Sequence, residues 1–182
     1  MNTVELETAA PATRRVTREV KPVELAREVL TTAAAKAEFP VSLPGIFRSR
    51  GVVVADRDLA DGPDALLIET RDGFSALILN TNNPEPIRRW VAAEYLYIAL
   101  ARPEVPKRKY DDSTYYDLEA LPEANDFAVA LLLPAADVAH VWRREIKSNP
   151  LPRAVRVVAG VFDVSEAAAR ARLAELGLIT GR

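Results

Sequence analysis

Cysteine is absent from this chain of 182 residues, histidine occurs once and the seven glycines are scattered. Without cysteine the chain can form neither a disulfide bond nor a thiolate nucleophile, and it cannot build a cysteine-based zinc cage. The single His140 cannot supply a multi-histidine metal site, and no serine and aspartate pattern accompanies it as in a catalytic triad. Scattered glycines exclude the phosphate-binding loops of nucleotide-binding proteins. We therefore expect His140 to be a surface or helix-capping residue.

Long apolar runs and a strong charge of either sign are also lacking. The longest apolar stretch, from Phe127 to Ala136, is shorter than the roughly 20 residues that a membrane-spanning helix needs. The first residues are polar and contain no apolar signal-peptide core. A formal net charge of -2 argues against a broad polyanion-binding surface. These features predict a cytoplasmic protein that does not enter a membrane.

The length is typical of one compact domain with its own core. Residues 1–21 lack apolar periodicity and predict a mobile tail with a small basic segment, followed by a main unit over 22–149 and a C-terminal element of the same compact unit over 150–182. Apolar periodicity, caps and turn residues predict helices over 22–37, 43–49, 87–101, 119–133, 151–163 and 165–176 and strands over 51–55, 65–70 and 75–80. Asp72-Gly73 predicts a hairpin between the last two strands. Residues 107–116 are predicted to be a polar loop.

Four blocks of sequence follow one another in an order that indicates a protein family, although each block alone is weak evidence. They are Glu24 to Val54, Ala76 to Glu94 with its Arg88-Arg89-Trp90-Val91-Ala92-Ala93-Glu94 run, Glu123 to Pro134 with Ala124-Asn125-Asp126-Phe127-Ala128, and Val158 to Leu178. Together they resemble the ImmA/IrrE family of bacterial and phage metallopeptidase-like proteins. The resemblance implies an α+β, zincin-like metallopeptidase fold with a small antiparallel sheet, a helical core and a C-terminal helix-turn-helix-like element.

The resemblance also implies where zinc ligands would stand. In the family, two histidines one helical turn apart and a later glutamate bind zinc, and the glutamate after the first histidine activates the bound water. Here the histidine positions hold Ala93 and Tyr97, and the third ligand position holds Leu121. Glu94 alone remains, as a vestigial general base. We therefore predict a chain with no metal ligands and no cofactor.

Family members cleave helix-turn-helix repressors that control phage, mobile-element or stress genes. With the ligands replaced, the resemblance implies a catalytically inactive regulator that binds such a repressor or a similar protein partner. The expected partner groove is formed by Ala93, Glu94, Tyr97 and Leu121, with the Tyr97 ring as an interface anchor. An equal alternative is that Tyr97 fills the former metal site as core packing.

Two other functions remain open from the sequence. The chain could be an active zinc endopeptidase with non-standard ligands, such as Glu119 or Glu123 after a slipped alignment, and zinc would then be its cofactor. It could also be a DNA-binding accessory protein that uses the basic tail and the last two helices. The final helix begins with Ser165-Glu166 and three alanines, which argues against direct base readout, although Arg170 and Arg172 could contact phosphate.

Overall fold

The computed structural model describes residues 21–32, 39–69, 75–101, 107–110, 113–116 and 121–180, which form an α+β fold as predicted. The predicted tail, apart from Lys21, lies outside the described residues. The described helices are α1 (Pro22–Leu30), α2 (Leu43–Ser49), α3 (Glu85–Ala101), α4 (Pro122–Leu132), α5 (Ala135–Glu145), α6 (Leu151–Phe162) and α7 (Glu166–Glu175). The strands are β1 (Val52–Arg57), β2 (Ala65–Glu69), β3 (Ser75–Asn80), β4 (Lys107–Tyr110) and β5 (Ser113–Tyr116).

The main sheet is mixed, which corrects the prediction of an antiparallel one. Its strand order is β1-β3-β2. Strands β2 and β3 pair antiparallel, as the predicted hairpin requires, while the turn at 70–74 lies outside the described residues. Strand β1 instead runs parallel to β3, with Val54 opposite Leu77. Because β2 lies at the far edge, the chain passes from β1 across the sheet before it returns in β3, and this crossover makes β1 and β3 parallel.

Four further predictions of elements need correction. Helix α1 ends at Leu30, with Thr31 as its C-cap, and not at residue 37. Strands β4 and β5 pair antiparallel where a polar loop was predicted. Helix α5 lies between the predicted helices that end at residue 133 and begin at residue 151, where the sequence predicts no element. Helix α4 starts at Pro122 rather than at residue 119; proline fits a first helical turn, where its missing N–H is not needed.

The C-terminal helix pair has the tight turn that the sequence predicts. Helix α6 ends at Phe162, and its C-cap residue Asp163 has a φ of 52°, in the left-handed region; the Val164 amide donates to the Ala159 carbonyl over 3.0 Å. Ser165 caps α7 by accepting a hydrogen bond from the Ala168 amide at 3.1 Å. Gly177, at a φ of 66°, reverses the chain beyond α7. Local chemistry therefore sets both ends of this turn and the stop after α7.

One core joins the sheet to the helices. Helix α3 lies against β2, β3, α2 and α4, and α1 packs on α4. The Tyr95 hydroxyl donates to the Ala65 carbonyl over 2.9 Å and so ties α3 to the start of β2. In the described part of the chain, no single helix is long and apolar enough to cross a membrane; α4 and α5 meet that criterion only when counted as one pair, which is bent by 50°.

Candidate functional site

Helix α3 places Ala93 and Tyr97 on one buried face, one turn apart, where the family resemblance puts two zinc ligands. Ala93 is fully buried and Tyr97 is 4% exposed. The Tyr97 ring packs against Phe127 of α4, with ring centroids 5.6 Å apart and planes inclined by 44°. This tilted contact is a normal arrangement for aromatic core residues. At these positions the α3–α4 interface is therefore packed with apolar groups.

Leu121 lies at the start of the facing helix. It is the N-cap residue of α4, with non-helical backbone angles, and its side chain is 8% exposed. Glu123 follows in the first turn of α4 and is exposed. Burial, and secondarily the Glu123 carboxylate, raise the pKa of Tyr97. Glu123 thus lies within electrostatic reach of Tyr97, whereas Glu119 lies outside the described residues.

Glu94 is half-buried next to these positions, on α3. Burial raises its pKa from the ordinary 4.5 to about 7; a hydrogen bond from the Trp90 side chain opposes this rise, and the Asp64 carboxylate adds to it. Asp64 immediately precedes β2, to which α3 is tied through Tyr95. A carboxyl group with a pKa near neutrality can both accept and donate a proton. The predicted role of Glu94 as a vestigial general base stays a prediction, with which this pKa is compatible.

The residues at this site do not fit a zinc ion. Tight zinc binding needs three or four preorganised nitrogen, sulfur or carboxylate ligands, and Ala93 and Leu121 offer none. Among the described residues no group of three or more histidine, cysteine, aspartate and glutamate side chains could hold a metal ion. His140 lies on the exposed face of α5, as predicted. Glu94 is the carboxylate that remains where the resemblance puts the catalytic centre.

Two arginines on α3 form a second cluster that the sequence reasoning missed. Arg89 donates from Nη2 to the Val41 carbonyl over 2.7 Å, and its Nε lies 3.7 Å from Asp163 Oδ2. Arg88 Nη1 lies 3.9 Å from Asp56 Oδ1. These contacts join α3 to the residues before α2, to β1 and to the α6–α7 turn. The sequence contains one signal for this cluster: Arg89 lies four residues before Ala93, so the two residues are expected on the same face of the helix.

Helix α7 carries two candidate phosphate-binding residues, Arg170 and Arg172, and Arg172 makes its contacts within the protein. Arg172 donates from Nε to the Leu133 carbonyl over 3.0 Å, pairs with Glu175 at 2.8 Å and is 12% exposed. Arg170 is exposed. Arg156 of α6 pairs with Glu166 at 3.1 Å, which places an acidic group at the start of α7. Two of the three guanidinium nitrogens of Arg172 thus have partners within the protein, and its contact with phosphate stays a prediction.

Two of three comparisons with known proteins give a match, and both agree with this fold. A comparison with curated protein sequences gives no match. A "Mycobacterium tuberculosis transcriptional regulator" is similar in structure, with a TM-score of 0.56 and 19% sequence identity over 84% of this chain. This chain spans 46% of that regulator's length, so the likeness concerns the fold. Residues 47–174 match the Peptidase_M78 family model, described as the IrrE N-terminal-like domain, and the chain therefore belongs to this family, as its resemblance to ImmA/IrrE proteins predicts.

Proposed function

We propose that this protein is a catalytically inactive, metallopeptidase-like regulator that binds a helix-turn-helix repressor or a similar protein partner of a phage, mobile-element or stress-response system. The observation that carries the proposal is the apolar filling of the α3–α4 interface. Tyr97 is 4% exposed and packs against Phe127 in a tilted contact, and Ala93 is fully buried, so core side chains stand at two positions where the resemblance puts zinc ligands. A domain that packs its core in this way needs no metal to fold.

Family membership supports the choice of partner. A peptidase-like domain without metal ligands can keep the surface that recognises its target, since recognition and cleavage depend on different groups. The similar regulator from Mycobacterium tuberculosis supports a role in regulation. Because Ala93, Tyr97 and Leu121 are buried, Glu94 is the member of the predicted groove that a partner can reach. Burial favours Tyr97 as the packing residue that shapes the groove from beneath.

The test combines metal content, binding and cleavage. The purified protein is incubated with a helix-turn-helix repressor, chosen first from the adjacent open reading frames if one of them encodes such a protein, and complex formation and repressor integrity are measured with and without added zinc. We expect no stoichiometric zinc, an unchanged melting temperature with a chelator, a complex and an intact repressor. A melting temperature that falls when about one zinc per chain is removed, or cleavage that requires zinc, would overturn the proposal. Glu94→Gln is the matched control for cleavage, in which any peptidase activity should be lost.

An active zinc endopeptidase with non-standard ligands is the second candidate. The pKa of about 7 for Glu94 favours it, because a general base works best with a pKa near the working pH. The same zinc measurement separates the two candidates. A DNA-binding accessory role would instead appear as salt-dependent retention on DNA; the internal use of Arg172 leaves α7 with less basic surface for that role.

A further inference from the structure

A cavity of about 270 Å³ lies on the side of α3 that faces α2 and β1. Apolar side chains form much of its wall, among them Leu43 and Phe47 of α2, Val54 of β1 and Ala92 of α3. Arg88 and Arg89 also line it. Small-ligand sites in proteins are typically concave and mostly apolar, with a few polar groups that fix the orientation of the ligand. The cavity has this composition, and it is separate from Tyr97 and Leu121.

The two arginines of the cavity have unused hydrogen-bonding capacity. The Nε atom of Arg89 is buried and has no hydrogen-bond partner. Asp163 Oδ2, at 3.7 Å, is close enough for an ion pair but too far for a hydrogen bond. Arg88 Nη1 is likewise 3.9 Å from Asp56 Oδ1. An unpaired buried donor is costly, so an acceptor that reached Arg89 Nε would be stabilised.

The arginines of the cavity are more buried than its aspartates, and this difference favours the binding of an anion. Asp56, Glu85 and Asp163 also line the cavity, one acid more than the two arginines. The arginine side chains are only 23% and 11% exposed, however, whereas Asp56 and Asp163 are 55% and 39% exposed. Exposed charges are screened by water and salt, while buried ones act at close range. An incoming carboxylate therefore meets the guanidinium groups in the cavity after it passes a solvated acidic rim.

The free edge of β1 runs beside this cavity. Strand β1 pairs only with β3 among the described strands. The Arg57 carbonyl accepts from the Thr81 amide over 2.8 Å, so the backbone groups of alternate residues, including Ala55, point towards β3. Those of Val54 and Asp56, two residues of the cavity wall, point to the free edge, where the Asp56 carbonyl accepts a hydrogen bond from Arg57 Nη1 over 2.8 Å. An extended peptide could form backbone hydrogen bonds at this edge.

We propose that the cavity between α2, β1 and α3 is a binding site for a carboxylate attached to an apolar group of about the size of a leucine side chain. The carboxylate accepts hydrogen bonds from Arg88 and Arg89, and the apolar group contacts Leu43 and Phe47. Guanidinium groups suit this task because their planar donors match the geometry of a carboxylate. The carboxylate has two possible sources, a free small acid or the C-terminus of a peptide aligned along β1. This site does not depend on the proposed repressor partner.

The test is a nuclear magnetic resonance titration of the whole chain with four probes: acetate, N-acetyl-leucine, N-acetyl-leucinamide and N-acetyl-Ala-Val-Ala-Leu with a free C-terminus. We expect N-acetyl-leucine to shift the arginine Nε–H signals of Arg88 and Arg89 and to bind about tenfold or more tightly than its amide, since the amide lacks the charge. Acetate should bind more weakly than N-acetyl-leucine. Equal binding of acid and amide, absence of binding by the acid, or binding without a change in these Nε–H signals would overturn the proposal.

Two variants check the location. Arg88→Gln should weaken N-acetyl-leucine binding about tenfold, and Ala92→Leu should abolish it by filling the cavity, whereas Arg143→Gln and Ala135→Leu on the exposed face of α5 should leave it unchanged. Each variant is used only if its spectrum is that of a folded chain, and Arg88→Gln, at a partly exposed position, keeps the test available if Ala92→Leu does not fold. Unchanged binding in folded Arg88→Gln would also overturn the proposal.

The tetrapeptide distinguishes the two sources. Affinity about tenfold above that of N-acetyl-leucine, with slowed hydrogen exchange of the Val54 and Asp56 amides, would indicate a peptide along β1. Affinity equal to that of N-acetyl-leucine would indicate a free small acid. Both results support the carboxylate site, and neither depends on whether a repressor binds elsewhere on the protein.

Discussion

Replacing Tyr97 by alanine tests whether this ring is part of the core or an anchor for a partner. The ring is almost completely buried and lies 5.6 Å, centroid to centroid, from Phe127. Truncating a large buried aromatic residue to alanine typically costs about 3–5 kcal/mol, from lost burial and from the cavity that remains. We therefore expect Tyr97→Ala to lower the free energy of unfolding by about that amount. Chemical denaturation followed by circular dichroism measures it.

Two companion variants separate the ring from its hydroxyl group. Tyr97→Phe keeps the contact with Phe127 and removes only the phenol oxygen, so its loss should be below about 1.5 kcal/mol, as in volume-conserving substitutions. Tyr97→Leu retains part of the buried apolar volume and should lie between Phe and Ala. This graded variant remains informative if Tyr97→Ala is unfolded, since domains of this kind are stable by only about 5–15 kcal/mol.

A loss below about 1 kcal/mol for Tyr97→Ala would refute the packing argument, because it would be smaller than the cost of removing almost any fully buried large side chain. Weakened repressor binding at unchanged stability would then identify Tyr97 as the interface anchor that the sequence first suggested. A large loss of stability, with binding intact in Tyr97→Leu, would leave Tyr97 as core and the partner surface elsewhere.

Three further predictions follow from the same site and from the C-terminal helices. Elemental analysis should find weak zinc uptake in the triple variant that combines Ala93→His, Tyr97→His and Leu121→Glu, and none in the double variant that has only the two histidines. Equal zinc uptake by the double and the triple variant would show that Leu121 is not the third ligand position. The pKa of Glu94 is 4.5 in the unfolded chain and about 7 in the folded protein, so between these pH values the folded state binds more protons than the unfolded state. The contribution of Glu94 to the free energy of unfolding is therefore most favourable below pH 4.5 and falls as pH rises to about 7. Denaturation curves of the wild type should show this fall and those of Glu94→Gln should not; parallel curves would contradict the assigned pKa. Ser165→Ala should cost about 1 kcal/mol of stability by removing the cap of α7, and a change indistinguishable from that of an exposed serine would argue against the cap.

Local sequence determined the features that depend on neighbouring residues. Helix α2 has the predicted bounds, β2 and β3 pair as the Asp72-Gly73 signal requires, and Ser165 and Gly177 mark the limits of α7. Capping hydrogen bonds and positive φ angles involve residues that are close in the chain, so they can be read without the rest of the fold. Family resemblance added the identity of the domain and the positions at which ligands would stand.

Tertiary structure alone decided which distant residues meet. The parallel pairing of β1 with β3 arises from a crossover that no local pattern records. Arg172 bonds to Leu133, 39 positions earlier, and Arg89 to Val41, 48 positions earlier, so neither arginine could be assigned its partner from helical periodicity. The resemblance predicts Tyr97 at a ligand position, but the packing of α3 on α4 decided that its ring is buried. Burial and long-range hydrogen bonds depend on how whole elements pack. The packing of α2 and β1 beside α3 is what makes Arg88 and Arg89 part of a cavity wall.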